Sequence, residues 1–516
     1  MKHMRKLASL LLALVMVFAL ATTAFADDGD TTGETQAPAT STTATTTISA
    51  PADSDRTYAV YQIFTGDLSG NILSNVKWGK NGTGTEGEPV PDKTLKDLAA
   101  VNGGTNTEKM AEISKYVNLN TNAVGTVSTG SPLTVTTGYY LIKDLGVWNS
   151  EENQYEMPDG QAYSLYVVQV VGPTVISPKV GEVTSEKKVD DKNDSNTSHD
   201  EIKWEDSADY DIGDEVPFKL TATIAEDYAN YKVYQLTFHD VESAGLTFKP
   251  DSVVVKIDGT AITSGYEVVT TDLTDGCTFE VRFANLKGTA AHASSVITVE
   301  YKSTLNTNAV IGSAGNPNTM HVTYSNNPNN QQGGETGKTP YDKVIVFTYK
   351  VIVNKIDQSN NPLTGAGFTL YKKQLVEKDG TSTYEYVAVG GEVKGDTMTT
   401  FTWKGLDDGD YKIEETTTPA GYNTIAPIEF TITAAHEVQS ADPRLTSLSG
   451  DVTSGTAQFT ASTDTASLST NVVNNSGTTL PSTGGIGTTI FYVVGSILVI
   501  GAAVLLVTKK RMSAEV

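Results

Sequence analysis

Cys277 is the only thiol in a chain of 516 residues, so any cysteine chemistry would have to run through it. It alternates with Phe279, Val281 and Phe283 in a strand-like run, a pattern that predicts a buried, inert sulfur. A single cysteine also excludes an internal disulfide. The six histidines are scattered without zinc-ligand spacing, and the acidic run Asp190 to Glu201 lacks the glycine and closing glutamate of a calcium loop. No metal and no cofactor is expected. GxSxG, HExxH and paired Cys/His motifs do not occur, so the common hydrolytic sites are not on offer. The formal charge of −24 disfavours nucleic acid as a partner.

The elements that must position any reactive group are strands. Between the termini, apolar residues recur with period two and are punctuated by Gly, Asn and Asp, as in "YSLYVVQVV" from Tyr163, "KVIVFTYKVIVNKID" from Lys343 and "IEFTIT" from Ile428. Antiparallel sheets follow. In "VTSEKKVDD", Val183, Lys187 and Val189 share a face, which turns Lys187 inward and Lys188 outward. Met320, Val322, Tyr324 and Asn326 likewise share a face of "TMHVTYSNN". Helical spacing is local: Leu95, Leu98, Met110, Ile113 and Val117 predict short helices, read as surface decorations of the first β domain. The Thr-rich stretch 27–45 is a linker, and breaks at "GPTVISPKVGE" and "NNPNNQQGGETGKTP" divide the rest into units 46–178, 179–340 and 341–478.

The two ends predict export and retention. Lys2, Arg5 and Lys6 precede an apolar stretch, and Ala24-Phe25-Ala26 closes a signal peptide over 1–26. Within the C-terminal segment 479–516, residues 488–507 form an uncharged run of membrane length, followed at once by Lys509, Lys510 and Arg511. The bulk of the chain is therefore expected outside the cell.

Leu480-Pro481-Ser482-Thr483-Gly484, followed by the apolar span and basic tail, resembles the LPXTG cell-wall sorting signal of Gram-positive surface proteins. The resemblance implies that a sortase cleaves between Thr483 and Gly484 and passes the Thr483 acyl group to an amine. Val175-Ile176-Ser177-Pro178-Lys179 resembles the pilin motif of backbone pilins, which makes Lys179 the amine that accepts the next subunit; Ser177 stands where that motif has tyrosine. "YKIEETTTPAGY", Tyr411 to Tyr422, is similar to the E-box of CnaB domains, with Ile413 for leucine and Thr418 for alanine. With "VNKIDQSNNPLTGAGFTLY" and "NVVNNSGTTLPSTGG", this implies an intramolecular isopeptide bond between Lys355 and Asn474, or Asn475 if the register slips, with Glu415 as the assisting acid. "YQLTFHDVESAGLTF" resembles the acid-bearing strand of CnaA-like pilin domains. It implies a second bond from Lys187 to Asn326, assisted by Asp240, with Lys188 the alternative amine.

The first domain resembles the N-terminal domain of major pilins but breaks the cross-linking pattern. Its "GYYLIKD" puts Asp144 where an E-box acid would sit, yet no lysine lies between Ala26 and Lys77. No bond is expected there.

The resemblance as a whole is to the major, shaft-forming pilin of sortase-assembled pili. It implies an all-β fold of tandem Ig-like, Cna-type β-sandwiches in an elongated array, with short helices in the N-terminal domain. The implied partners are pilus-specific and housekeeping sortases, identical subunits in a covalent polymer, peptidoglycan, accessory pilins and host-surface ligands. A monomeric wall-anchored adhesin or accessory pilin is the alternative. The chain is expected to be acted on by an enzyme, and its own chemistry to be single-turnover isopeptide formation.

Overall fold

A computed structural model describes residues 44–69, 72–164, 166–170, 172–177, 181–195, 202–273, 275–330, 332–477 and 486–512. The expected signal peptide 1–26, nearly all of the linker 27–45, Lys179 and the stretch Leu480 to Gly484 lie outside them. The chain divides into two compact units. One holds Met1–Lys192, Ser198–Thr348 and His436–Thr446; the other holds Asn193–Thr197, Tyr349–Ala435 and Ser447–Val516.

Within the first unit, the N-terminal module is built on the antiparallel pair Arg56–Ser69 and Gly138–Asn149 at the centre of a six-stranded sheet. Side-chain alternation gives that sheet two apolar faces. Tyr58 and Val60 pack with Ile48 and Val135 of a three-stranded sheet on one side. Ala59, Tyr61 and Ile63 pack with Leu98, Met110, Ile113 and Val117 on the other. The helices Asp92–Ala100 and Asn106–Ile113 therefore close a core rather than decorate a surface. Thr105 and Glu108 start the second of them with a reciprocal capping box.

The middle module is a sandwich of two seven-stranded sheets. One carries Thr184–Asp190, Glu215–Thr223 and Val296–Leu305; the facing one carries Leu236–Glu242, Phe279–Phe283 and Asn316–Ser325. Its last strand, Asp342–Phe347, pairs with Asn316–Ser325 and sends Val344 and Val346 into this core. The boundary expected at 340/341 thus falls after Thr348, because the apolar run from Lys343 continues unbroken through a change of unit.

In the second unit, Tyr349–Asp357 lies between Thr400–Leu406 and Ser467–Asn474, parallel to the latter. A second sheet contains Gly367–Lys378, Gly409–Thr417 and Ile428–His436. The C-terminal helix covers Ile486–Met512, and the side chains described on it, Tyr492 to Val507, are exposed. Among the described residues, no helix is long and apolar enough to cross a membrane. The span expected over 488–507 includes residues whose side chains are not described.

Candidate functional site: buried amine, acid and amide clusters

Lys355 is inward on Tyr349–Asp357 and fully buried, as period two requires between the core residues Val351 and Val353 and the strand end. The neighbouring parallel strand is in register Lys355↔Val472 and Asp357↔Asn474, so Asn474, two residues on from Val472, faces the same core. Lys355 Nζ donates to the carbonyl of Val472 at 3.0 Å and to that of Ile356 at 3.2 Å. From the opposing sheet, Glu415 accepts from Asn474 Nδ2 through both carboxylate oxygens, at 2.8 and 3.0 Å. Burial pulls the Lys355 ammonium down to about 8, against the nearby Glu415 charge that favours it. Burial pushes Glu415 up, opposed by the Ile425 N–H and the Asn474 amide. Both groups are driven toward neutrality. Asn474 Oδ1 is buried with no hydrogen-bond partner among the described residues, whereas the exposed Asn475 faces away from this core.

The middle module repeats the arrangement between its two sheets. Lys187 and Asp240 are both fully buried and paired through Nζ and Oδ2. Burial lowers the Lys187 ammonium and raises the Asp240 carboxyl, again toward neutral forms. Tyr301 completes the group: its hydroxyl lies 2.9 Å from Lys187 Nζ, 2.9 Å from Asp240 Oδ2 and 2.9 Å from Asn318 Nδ2. Asn318 is fully buried, and its Oδ1 has no hydrogen-bond partner among the described residues. Lys188 points outward to Asp206 and Glu186, as the alternation predicts.

Asn326 is not part of this cluster. It follows the end of Asn316–Ser325, where its N–H donates to the Glu335 carbonyl and its own carbonyl accepts from Tyr163 N–H. Asp240 is in register with Met320, six residues earlier, which at about 3.3 Å per residue puts Asn326 roughly 20 Å along the strand. Asn318, two residues before Met320 and on the same face, is the amide at the site. Sequence reasoning also missed Tyr301 and Glu242. The latter is opposite Asn318 in the strand register and pushed up to about 7 by burial and the Asp240 charge. Alternation along "VITVEYKSTL" was the available signal for Tyr301.

In the N-terminal module an arginine fills the place of the missing lysine. Arg56 opens the first long strand, 3% exposed, and pairs with Asp144, 2% exposed, at 2.5 Å. Asp144 also accepts from the backbone of Gly146 and Ser164, and Arg56 donates to the Ala162 carbonyl and Gln161 Oε1. A guanidinium does not deprotonate in proteins, so this pair cannot become an amide. Arg56→Ala would leave Asp144 buried without its cation. The N-terminal module should lose about 3–5 kcal/mol, read as a lower denaturant midpoint for its transition; an unchanged midpoint would contradict the role.

Three family models match the chain: a Gram-positive pilin backbone subunit 2, Cna-B-like domain over residues 212–328; a SpaA prealbumin-like fold domain over 349–444; and an LPXTG cell wall anchor motif over 472–513. A trypsin-resistant surface T6 protein of Streptococcus pyogenes serotype M6 is 25% identical over 537 residues, covering 88% of this chain and 93% of that protein. The solved T6 backbone pilin of the same serotype, described as a modular three-domain structure, superposes with a TM-score of 0.50 at 16% identity, covering 84% of this chain and 99% of that one. The major pilin SpaD of Corynebacterium diphtheriae has a TM-score of 0.46 at 17% identity, covering 84% and 97%.

Proposed function

The chain belongs to the LPXTG-anchored backbone pilins of Gram-positive bacteria, structural shaft subunits of a cell-wall-anchored surface pilus, and from that premise we propose how its covalent chemistry is divided. Two bonds form inside the subunit, Lys355 to Asn474 and Lys187 to Asn318. Two more are made by sortases: Thr483 to Lys179 of the next subunit, and Thr483 to peptidoglycan at the base.

The observation that carries the internal bonds is the burial of amine, acid and amide together in each of two cores. With Lys355 lowered and Glu415 raised, a proton passes from ammonium to carboxylate and leaves a neutral amine. That amine adds to the Asn474 side-chain carbonyl carbon, while the protonated Glu415 donates to its oxygen. Collapse breaks the C–N bond to Nδ2, which leaves as ammonia after taking up the amine's proton, and Glu415 is restored. The orphaned Oδ1 of Asn474 fits an amide poised to turn that oxygen toward the protonated acid. Lys187, Asp240 and Asn318 act in the same way, with the Tyr301 hydroxyl as a relay between acid and amide. The folded core supplies proximity once and does not turn over.

Peptide mapping of the mature protein tests this. A branched peptide joining the segments around Lys355 and Asn474 should be found, and Glu415→Ala should yield the two segments unlinked. Linear peptides alone from the native protein would refute the assignment.

A further inference from the structure

We propose that His239, Asp275, Cys277 and Glu280 form a divalent metal site of the zinc class on the outer face of the middle module. One donor atom from each lies within 4.8 Å of every other. The site is remote in sequence but fixed by the sheet. His239 and Glu280 are register partners on adjacent strands, while Asp275 and Cys277 stand in the connection that leads into Phe279–Phe283. Cys277 N–H donates to Asp275 Oδ1 at 3.2 Å and keeps the two side chains together. Cys277 thus lies just ahead of the strand in which alternation placed it, half-buried, with its thiol pushed up by burial and by Asp275.

The donor set selects the ion. Nitrogen, sulfur and two carboxylates suit a borderline-soft tetrahedral cation, whereas calcium takes six to eight oxygens. Zinc–nitrogen and zinc–oxygen bonds near 2.0–2.2 Å and a zinc–sulfur bond near 2.3 Å require donor separations of about 3.3–3.8 Å, so closure asks for movements of about 1 Å. The connection bearing Asp275 and Cys277 can supply them, because its two ligands are side chains outside the ladder.

The surroundings are those of a held ligand. His239 Nε2 lies 2.9 Å from Thr323 Oγ1, and the hydroxyl can accept its proton, leaving the Nδ1 lone pair for the site. Nδ1 then faces Asp275 Oδ2 at 2.6 Å and Glu280 Oε1 at 3.4 Å. Arg282 engages the other Glu280 oxygen and leaves Oε1 toward His239. The His321 ring backs His239, stacked at 4.5 Å with an interplanar angle of 14°. Binding displaces the Cys277 proton to solvent as the thiolate coordinates, so charge balances with release of one proton.

The test uses the purified full chain in detergent, stripped with a chelator and titrated with cobalt(II) and then zinc(II). One cobalt per chain with a thiolate-to-cobalt charge-transfer band is expected, bleached by equimolar zinc and unaffected by excess calcium. Cys277→Ser should lose the band and weaken zinc at least tenfold; His239→Gln should abolish stoichiometric binding. Native protein without the charge-transfer band overturns the site whatever the variants do. Equal zinc retention by native, Cys277→Ser and His239→Gln chains also overturns it.

Discussion

The ectodomain, about residues 27 to 478, should weigh less than the calculated mass of those residues by two ammonia losses of about 17 Da each, its Asn318→Ala variant by only one, and its Asn326→Ala variant still by two. The reason lies in the core of the middle module. Asn318 shares the Tyr301 hydroxyl with Lys187 and Asp240, whereas Asn326 is occupied at the end of its strand with Glu335 and Tyr163 backbone. Asn318→Ala leaves the Lys187–Asp240 pair in place, so the fold survives and the loss is that of the covalent closure. For a loop on the order of a hundred residues, a chain-entropy treatment borrowed from disulfides gives about 5 kcal/mol. Denaturation of Asn318→Ala should therefore show an earlier transition for the middle module, with the transition of the last module unchanged. Two ammonia losses in Asn318→Ala and one in Asn326→Ala would reverse the assignment.

The second large effect concerns assembly. Lys179→Ala should abolish the high-mass ladder of wall extracts on a denaturing gel while leaving a monomer attached to the wall. Thr483→Ala should remove both, because transfer to any amine begins with cleavage after Thr483, and only growth of the shaft needs the lysine. Lys187→Ala separates the two kinds of bond: it should keep the ladder and lose one internal ammonia deficit. A ladder persisting in Lys179→Ala would move the acceptor elsewhere, and a native protein with no ladder beside its own sortase would favour the monomeric wall protein.

The sequence exposed some of this architecture well and some of it not at all. Motif-bearing positions were legible: the E-box singled out Glu415, and Asn474 of the last strand, two residues beyond the register partner of Lys355, donates to Glu415. Alternation separated Lys187 from Lys188 because a one-residue shift reverses the face. The same rule failed for Asn326, since Asn318, Met320 and Asn326 all share one parity. Which of them meets Asp240 depends on depth along the strand, and that is set by pairing with Leu236–Glu242. Arg56 carries no signal of this kind, because amide formation calls for a lysine, and only the fold shows that a cation of another kind pairs with Asp144. The four donors run in sequence from His239 to Glu280 and come together only through the His239↔Glu280 register.

Parallel pairing of Tyr349–Asp357 with Ser467–Asn474 has a mechanical consequence. A pull along the shaft enters the last module at its first strand and leaves from its last, toward Thr483. With the Lys355–Asn474 bond in place, the load runs along the few residues from Tyr349 to Lys355, crosses one amide, and exits beyond Asn474. Everything between, including the whole sheet that carries Glu415, lies outside the load path and bears no force. Without the bond, the same pull would shear the ladder between the two strands and then unravel the module. The last module would thus behave under traction as a short inextensible link, and its β-sandwich as the housing that made the link.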